Sequence, residues 1–141
     1  MKTEIGSSDD VITGRCACGA VTYSAHGPFR PFVGCHCDSC RRQSSHHVVA
    51  TRVASHGLTV SGDENLKGWR ASESATRRFC GICGSLMFWV PDGKPTVSIM
   101  AGSIDKPTGL PLGWHIMASE KADYYELDDG TPVYPNGSGI A

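Results

Sequence analysis

Seven cysteines in three tight groups, Cys16-x-Cys18, Cys35-x-Cys37-x2-Cys40 and Cys80-x2-Cys83, constrain this chain more than any other feature. Sulfurs this close in sequence make poor disulfide partners, because a bridge needs Cα atoms about 5.5–6 Å apart in one torsional geometry. An odd count would also leave one thiol over. The density, about 5%, lies below the roughly 8–10% of small secreted disulfide scaffolds. The same spacing suits thiolates converging on a cation. Soft sulfur donors in close pairs favour Zn2+, which takes four of them tetrahedrally at about 2.3 Å. Seven divides as four plus three, so two Zn2+ per chain are expected. Four sulfurs close a structural site, whereas three leave a position open, as catalytic zinc requires.

Local geometry supports both kinds of site. In Cys80-Gly81-Ile82-Cys83-Gly84 the glycines permit the tight turn that aims amide groups at thiolates. Cys16-Ala17-Cys18-Gly19 is similar with one residue fewer. Alternate residues of an extended C-x-C share a face, so Cys35 and Cys37 fall together, His36 turns away from the metal, and Cys40 returns on the next turn. Spacing alone leaves the partition open. A zinc ribbon would pair Cys37 and Cys40 with Cys80 and Cys83, leaving Cys16, Cys18 and Cys35 for a second site or none.

Length and charge exclude other classes. The chain has 141 residues and 15.0 kDa, enough for one domain with its own core. Its longest apolar run, Leu86 to Val90, is far short of the roughly 20 residues of a bilayer span, so no membrane association is expected. The first ten residues carry acids and lack the apolar stretch of a signal peptide, which points to the cytoplasm. With 13 Lys and Arg against 14 Asp and Glu, the basic excess of a nucleic-acid binder is missing. Seven thiolates outweigh two dications, so the loaded domain is more acidic still. The sequence does not set an oligomeric state.

The legible patterns alternate, as strands do. Leu58 and Val60 flank Thr59; Val97, Ile99 and Ala101 alternate with Thr96, Ser98 and Met100; Trp114, Ile116 and Ala118 oppose His115 and Met117. Leu86 to Val90 is apolar on both faces, as in a central, doubly covered strand. Further strands are expected at Ala20–Ser24, His47–Val53, Asn65–Arg70 and Ser74–Phe79. Seventeen glycines and eight prolines punctuate them. The expected fold is all-β, with short antiparallel strands and helical turns only at Asp38–Ser45 and Ser119–Tyr124. Residues 11–135 form one zinc-binding catalytic domain in this reading, between a flexible start, 1–10, and a flexible tail, 136–141.

The succession Gly14-Arg15-Cys16-Ala17-Cys18-Gly19-Ala20-Val21, Cys35-His36-Cys37-Asp38-Ser39-Cys40-Arg41 and Phe79-Cys80-Gly81-Ile82-Cys83-Gly84 resembles the glutathione-dependent formaldehyde-activating enzyme family, whose domain also occurs in centromere-protein-V-like proteins. The resemblance continues through Ala101-Gly102-Ser103-Ile104-Asp105, His115-Ile116, Tyr125-Glu126, Asp129-Gly130 and Tyr134-Pro135. It implies a zinc-stabilised, β-sandwich-like fold. It also implies a partition: Cys16, Cys18, Cys80 and Cys83 hold structural zinc, and Cys35, Cys37 and Cys40 hold a second, catalytic zinc. The chain departs from the family where a Pro-Trp-Tyr-Glu stretch often stands, having Asp123-Tyr124-Tyr125-Glu126, and at Met117, near a common Trp. Such a changed aromatic surface implies a different substrate.

Three sulfurs around an open zinc position suit a carbon–sulfur lyase that joins a thiol such as glutathione to an aldehyde such as formaldehyde, or cleaves the adduct. Glutathione carries two carboxylates, so cations are expected beside the trio. Arg41 and Arg42 adjoin it in sequence, and Arg77 and Arg78 alternate on a strand so that at most one faces a site. His46 and His47 are candidates for a fourth ligand but should point to opposite faces; His115 is a candidate acid or base. Trp69, Trp89 and Trp114 read as core or pocket wall. The competing functions are a non-catalytic zinc-stabilised binding module and a thiol redox or zinc-storage protein.

Overall fold

The computed structural model describes residues 3–137. Ten strands are present: β1 (Val11–Arg15), β2 (Thr22–His26), β3 (Phe32–Cys35), β4 (Val48–Ala54), β5 (Leu58–Ser61), β6 (Leu66–Ser72), β7 (Ala75–Cys80), β8 (Leu86–Pro91), β9 (Thr96–Met100) and β10 (Leu112–Ile116). One α-helix, α1 (Asp38–Ser44), accompanies them. The strands form a three-stranded sheet, β1-β2-β5, and a seven-stranded sheet, β10-β3-β4-β9-β8-β7-β6. The all-β expectation holds.

The sheets face each other over the larger core. Strands β1 and β2 alternate in burial, sending Ile12, Tyr23 and Ala25 inward to meet Val53, Phe88, Val97 and Ile99 of the larger sheet. Tyr23 and Phe88 meet edge to face at 5.3 Å. Burying each large apolar side chain stabilises the sandwich by about 1.5–3 kcal/mol. The outer face of the larger sheet carries a second cluster of Cys40, Val48, Ala50 and Met100, packed with Cys35, Cys37, Leu86 and Trp89. Strand β8 therefore has apolar neighbours on both sides, with Phe88 turned to one cluster and Trp89 to the other.

Several expectations require correction. The strands are not all antiparallel, because β10 runs parallel to β3. Residues 101–111 are long enough to carry the chain from β9 past β4 and β3 to the far edge, which is what a parallel partner demands. Strands β1 and β3 were not anticipated: β1 places Gly14 at a buried position, and β3 is short and buried almost throughout, so neither shows hydrophobic alternation. Strand β9 stops at Met100, where Ala101–Ser103 tightens into a 3-10 turn. Strand β10 stops at Ile116, before Met117 turns left-handed at φ 57°, and a 3-10 turn at Ala118–Glu120 replaces the expected Ser119–Tyr124 helical segment. Trp69 is neither core nor pocket wall; it lies 47% exposed on the edge strand β6. Ile5 pairs with Phe29 in an isolated bridge. Positions 138–141 of the expected tail, and the first two residues of the expected flexible start, lie outside the described residues.

Candidate metal centres and substrate cavity

The structure brings the cysteines together as a quartet and a trio. In each group the sulfurs lie within 4.8 Å of one another, so each can hold a metal ion. Cys37 and Cys40 do not join Cys80 and Cys83, and the ribbon partition left open by spacing is not formed.

Cys16 and Cys18 sit on the turn after β1, Cys80 ends β7 and Cys83 sits on the turn after it, so the quartet joins one sheet of the sandwich to the other. Gly19 and Gly84 adopt matching left-handed conformations at φ 81°, and their amides close the two turns onto the carbonyls of Cys16 and Cys80. The Val21 amide donates to Cys16 Sγ at 3.3 Å and the Ile82 amide to Cys80 Sγ at 3.4 Å. Ser85 couples the turns, accepting from the Ala17 amide at 2.9 Å while its Oγ lies 3.2 Å from Cys83 Sγ. The Ser85 hydroxyl and amide, with the Cys18 amide, bring the Cys83 thiol down to about 5. Burial acts to raise Cys16, but the Val21 amide and neighbouring thiols leave it lowered. The separations Cys16–Cys18 and Cys18–Cys80, 3.6 and 3.9 Å, bracket the edge of about 3.8 Å that a tetrahedron of 2.3 Å metal–sulfur bonds demands. The donor set fits zinc.

The trio is built differently. Cys35 ends β3, Cys37 caps α1 by accepting the Cys40 amide at 3.3 Å, and Cys40 lies buried on the first turn. Hydrogen bonds from Cys35 and Cys40, then the Cys40 amide and the nearby Arg77 guanidinium, hold Cys37 far below the ordinary thiol range. The same sharing pushes Cys35 and Cys40 up. Arg77, only 5% exposed, donates through Nη2 to Cys40 Sγ at 3.1 Å and through Nη1 to Ser39 Oγ and Gln43 Oε1 at 2.9 and 2.8 Å. Arg77 is therefore the cation beside the trio. Arg41 instead faces Asp38 at 3.5 Å, and Arg42 is exposed.

All three sulfurs line a cavity of about 420 Å³. Its floor is the outer face of the larger sheet, where the register sets Arg52, Ser98, Trp89 and Arg77 side by side across β4, β9, β8 and β7. Arg30 completes the cations, and Met117 contributes to the wall. Neither Arg30 nor Arg52 was singled out from the sequence. For Arg52 a signal existed: it follows Val48 and Ala50 at alternate positions of β4 and so shares their face.

The histidines form a separate network. His36 does turn away from the sulfurs, into full burial, where its Nδ1 meets the Tyr125 hydroxyl and its Nε2 lies 2.8 Å from His115 Nδ1. His115 Nε2 lies 2.7 Å from Asp129 Oδ2. Both ring nitrogens of His115 are thus engaged and the ring does not line the cavity, so this candidate acid or base is a hydrogen-bonded, buried histidine instead. His46 and His47 do not point to opposite faces: their rings are 4.4 Å apart, and His47 also stacks on His36. Burial, then the neighbouring His47 and His115, bring His36 down to about 4, which keeps it neutral near pH 7.

Comparison with known proteins agrees with this architecture. The profile of the family described as glutathione-dependent formaldehyde-activating enzyme matches residues 11–120. An uncharacterized lyase of Schizosaccharomyces pombe is 25% identical over 122 residues, spanning 86% of this chain and 88% of that protein. The crystal structure of a Rhodobacter sphaeroides protein shares the fold with a TM-score of 0.58 at 24% identity, over 71% of this chain and 98% of its own. Since the matched residues include all three cysteine groups and most of the sheet that carries them, the chain belongs to the glutathione-dependent formaldehyde-activating enzyme family.

Proposed function

We propose that this protein is a zinc-dependent carbon–sulfur lyase that condenses a thiol such as glutathione with an aldehyde such as formaldehyde, and catalyses the reverse cleavage. In this reading residues 11–135 act as one catalytic domain carrying two Zn2+. Family membership and the lyase relative support the reaction class. The observation that carries the reading is the trio itself, three converging sulfurs on the wall of a cavity large enough for a small substrate. Zinc held by Cys35, Cys37 and Cys40 supplies a Lewis acid that lowers the pKa of a thiol or polarises a carbonyl.

The chain's own residues supply positioning. Arg77 donates to Cys40 Sγ and fixes it through a three-point grip shared with Ser39 and Gln43. Val48, Ala50, Trp89 and Met100 give the sulfurs an apolar surround. In condensation a sulfur–carbon bond forms, and the thiol proton ends on the carbonyl oxygen; no electrons leave the pair of reactants. Cys16, Cys18, Cys80 and Cys83 take no part in the chemistry and hold the sandwich together. We place this work in the cytoplasm, whose reducing conditions keep thiols free, as all seven are here.

The test is metal content combined with turnover. Purified protein is expected to hold two zinc ions per chain and to accelerate adduct formation between glutathione and formaldehyde, followed by NMR. Cys40→Ser is expected to retain one zinc and lose turnover. One zinc per chain with no acceleration by the wild type would favour a non-catalytic binding module.

A further inference from the structure

We propose that Arg30 and Arg52 form a carboxylate-recognition subsite of the thiol cavity, and that this subsite selects among thiols those bearing a carboxylate. The inference rests on the reading of the cavity as a thiol site. Both arginines line the same cavity as the trio. Among the described residues, neither lies within 4.0 Å of a carboxylate, since the ion pairs formed there are Arg41–Asp38, Arg70–Asp92 and His115–Asp129. Burial and the like charge of Arg52 together bring Arg30 down to about 10. Holding two like charges in a partly desolvated pocket is costly unless an anion balances them.

The two backbones and the Arg30 side chain are held in place before any ligand arrives. The Arg30 amide donates to the Arg52 carbonyl at 3.2 Å, the Thr51 hydroxyl donates to the Arg30 carbonyl at 2.6 Å, and Arg30 Nη2 donates to the Ala50 carbonyl at 2.9 Å. Arg30 Nε is buried without a partner. A guanidinium tethered at one nitrogen with another left unpaired suits the two oxygens of a carboxylate, which it can take side by side. Arg77, by contrast, is already committed to Cys40, Ser39 and Gln43.

The strand sets the order of the cations. Val48 pairs with Cys35, Arg30 Nη2 rests on the Ala50 carbonyl two residues on, and Arg52 lies two residues further along β4. Val33, Ala50 and Met100 offer an apolar wall beside them. Charge agrees: three guanidiniums outweigh three thiolates carrying a divalent ion, leaving an excess that an anionic thiol offsets.

The experiment measures binding by calorimetry on the zinc-loaded protein with S-methylglutathione, which lacks a free thiol, and with its diethyl ester. The acid is expected to bind at least about 10-fold more tightly than the ester, a difference of about 1.4 kcal/mol. Arg52→Gln is expected to abolish that preference and Arg52→Lys to keep part of it. Equal affinity of acid and ester for the wild type would overturn the subsite, and so would an unchanged preference in Arg52→Gln. The ester comparison needs no variant, so a misfolded substitution would not rescue the proposal. An acid preference that depends on Arg52, without any acceleration of the glutathione–formaldehyde reaction, would sustain the subsite while contradicting the lyase. Turnover with equal acid and ester binding would do the reverse.

Discussion

The sulfurs of Cys16, Cys18, Cys80 and Cys83 lie on or beside backbone turns and take main-chain amides, whereas those of Cys35, Cys37 and Cys40 face a cavity, where a guanidinium on Cys40 joins the main-chain amide on Cys37. The quartet spans both sheets, and its four sulfurs complete a tetrahedral donor set. The trio lies wholly on one sheet and its covering helix, with space in front of it. The same donor atom therefore serves two purposes, and surroundings decide which. Amides that belong to the fold make a site whose loss is a loss of structure. A side-chain cation and an open cavity make a site that can change occupant.

The largest expected effect separates the two. Cys80→Ser removes a fully buried sulfur from the joint between sheets and is expected to abolish cooperative thermal unfolding, since structural zinc binding contributes on the order of 10 kcal/mol or more to folding. Cys40→Ser should lower the melting temperature by only a few degrees while removing the second zinc. If circular dichroism melts showed the two variants equally unfolded, the division of labour would be wrong. Next comes Arg77→Met, which deletes the donor to Cys40 Sγ without touching a sulfur. Its expected outcome is a 10–100-fold weaker second zinc in chelator competition, with the first zinc unaffected. Equal weakening at both ions would show that Arg77 acts on the fold at large.

Much of this was legible in the sequence, for a physical reason. Cysteine spacing of two or three residues acts through local geometry, so the knuckles, the return of Cys40 on the next turn and the turning away of His36 could be read directly. Long-range placement could not. Arg77 and Arg78 were distinguishable only as alternates, and which of them meets Cys40 depends on how α1 lies across the sheet. Arg30 precedes β3 and meets Arg52 through pairing of segments 22 positions apart, leaving no local pattern to find. The parallel β10 and the buried His36–His115 contact likewise arise from tertiary pairing.

Smaller effects sharpen the comparison. Ser85→Ala removes the hydroxyl that ties the two knuckles together and is expected to cost about 0.5–1.5 kcal/mol in urea unfolding, with turnover unchanged. A loss of turnover at full stability would transfer Ser85 to the other site. The least effect concerns the core beneath the quartet, where burial brings Tyr23 up from 10.0 to about 12. A raised folded value means that its stabilisation is complete below pH 10 and fades as pH rises towards 12. Tyr23→Phe is expected to flatten that alkaline limb in unfolding midpoints; an identical limb in both proteins would assign it to other groups.

Anomalous diffraction at the zinc edge tests the central division most directly. The account predicts two peaks, one surrounded by Cys16, Cys18, Cys80 and Cys83, and another bound by Cys35, Cys37 and Cys40 with its fourth position free of protein. A single peak at the quartet, or a side chain closing the trio, would contradict it.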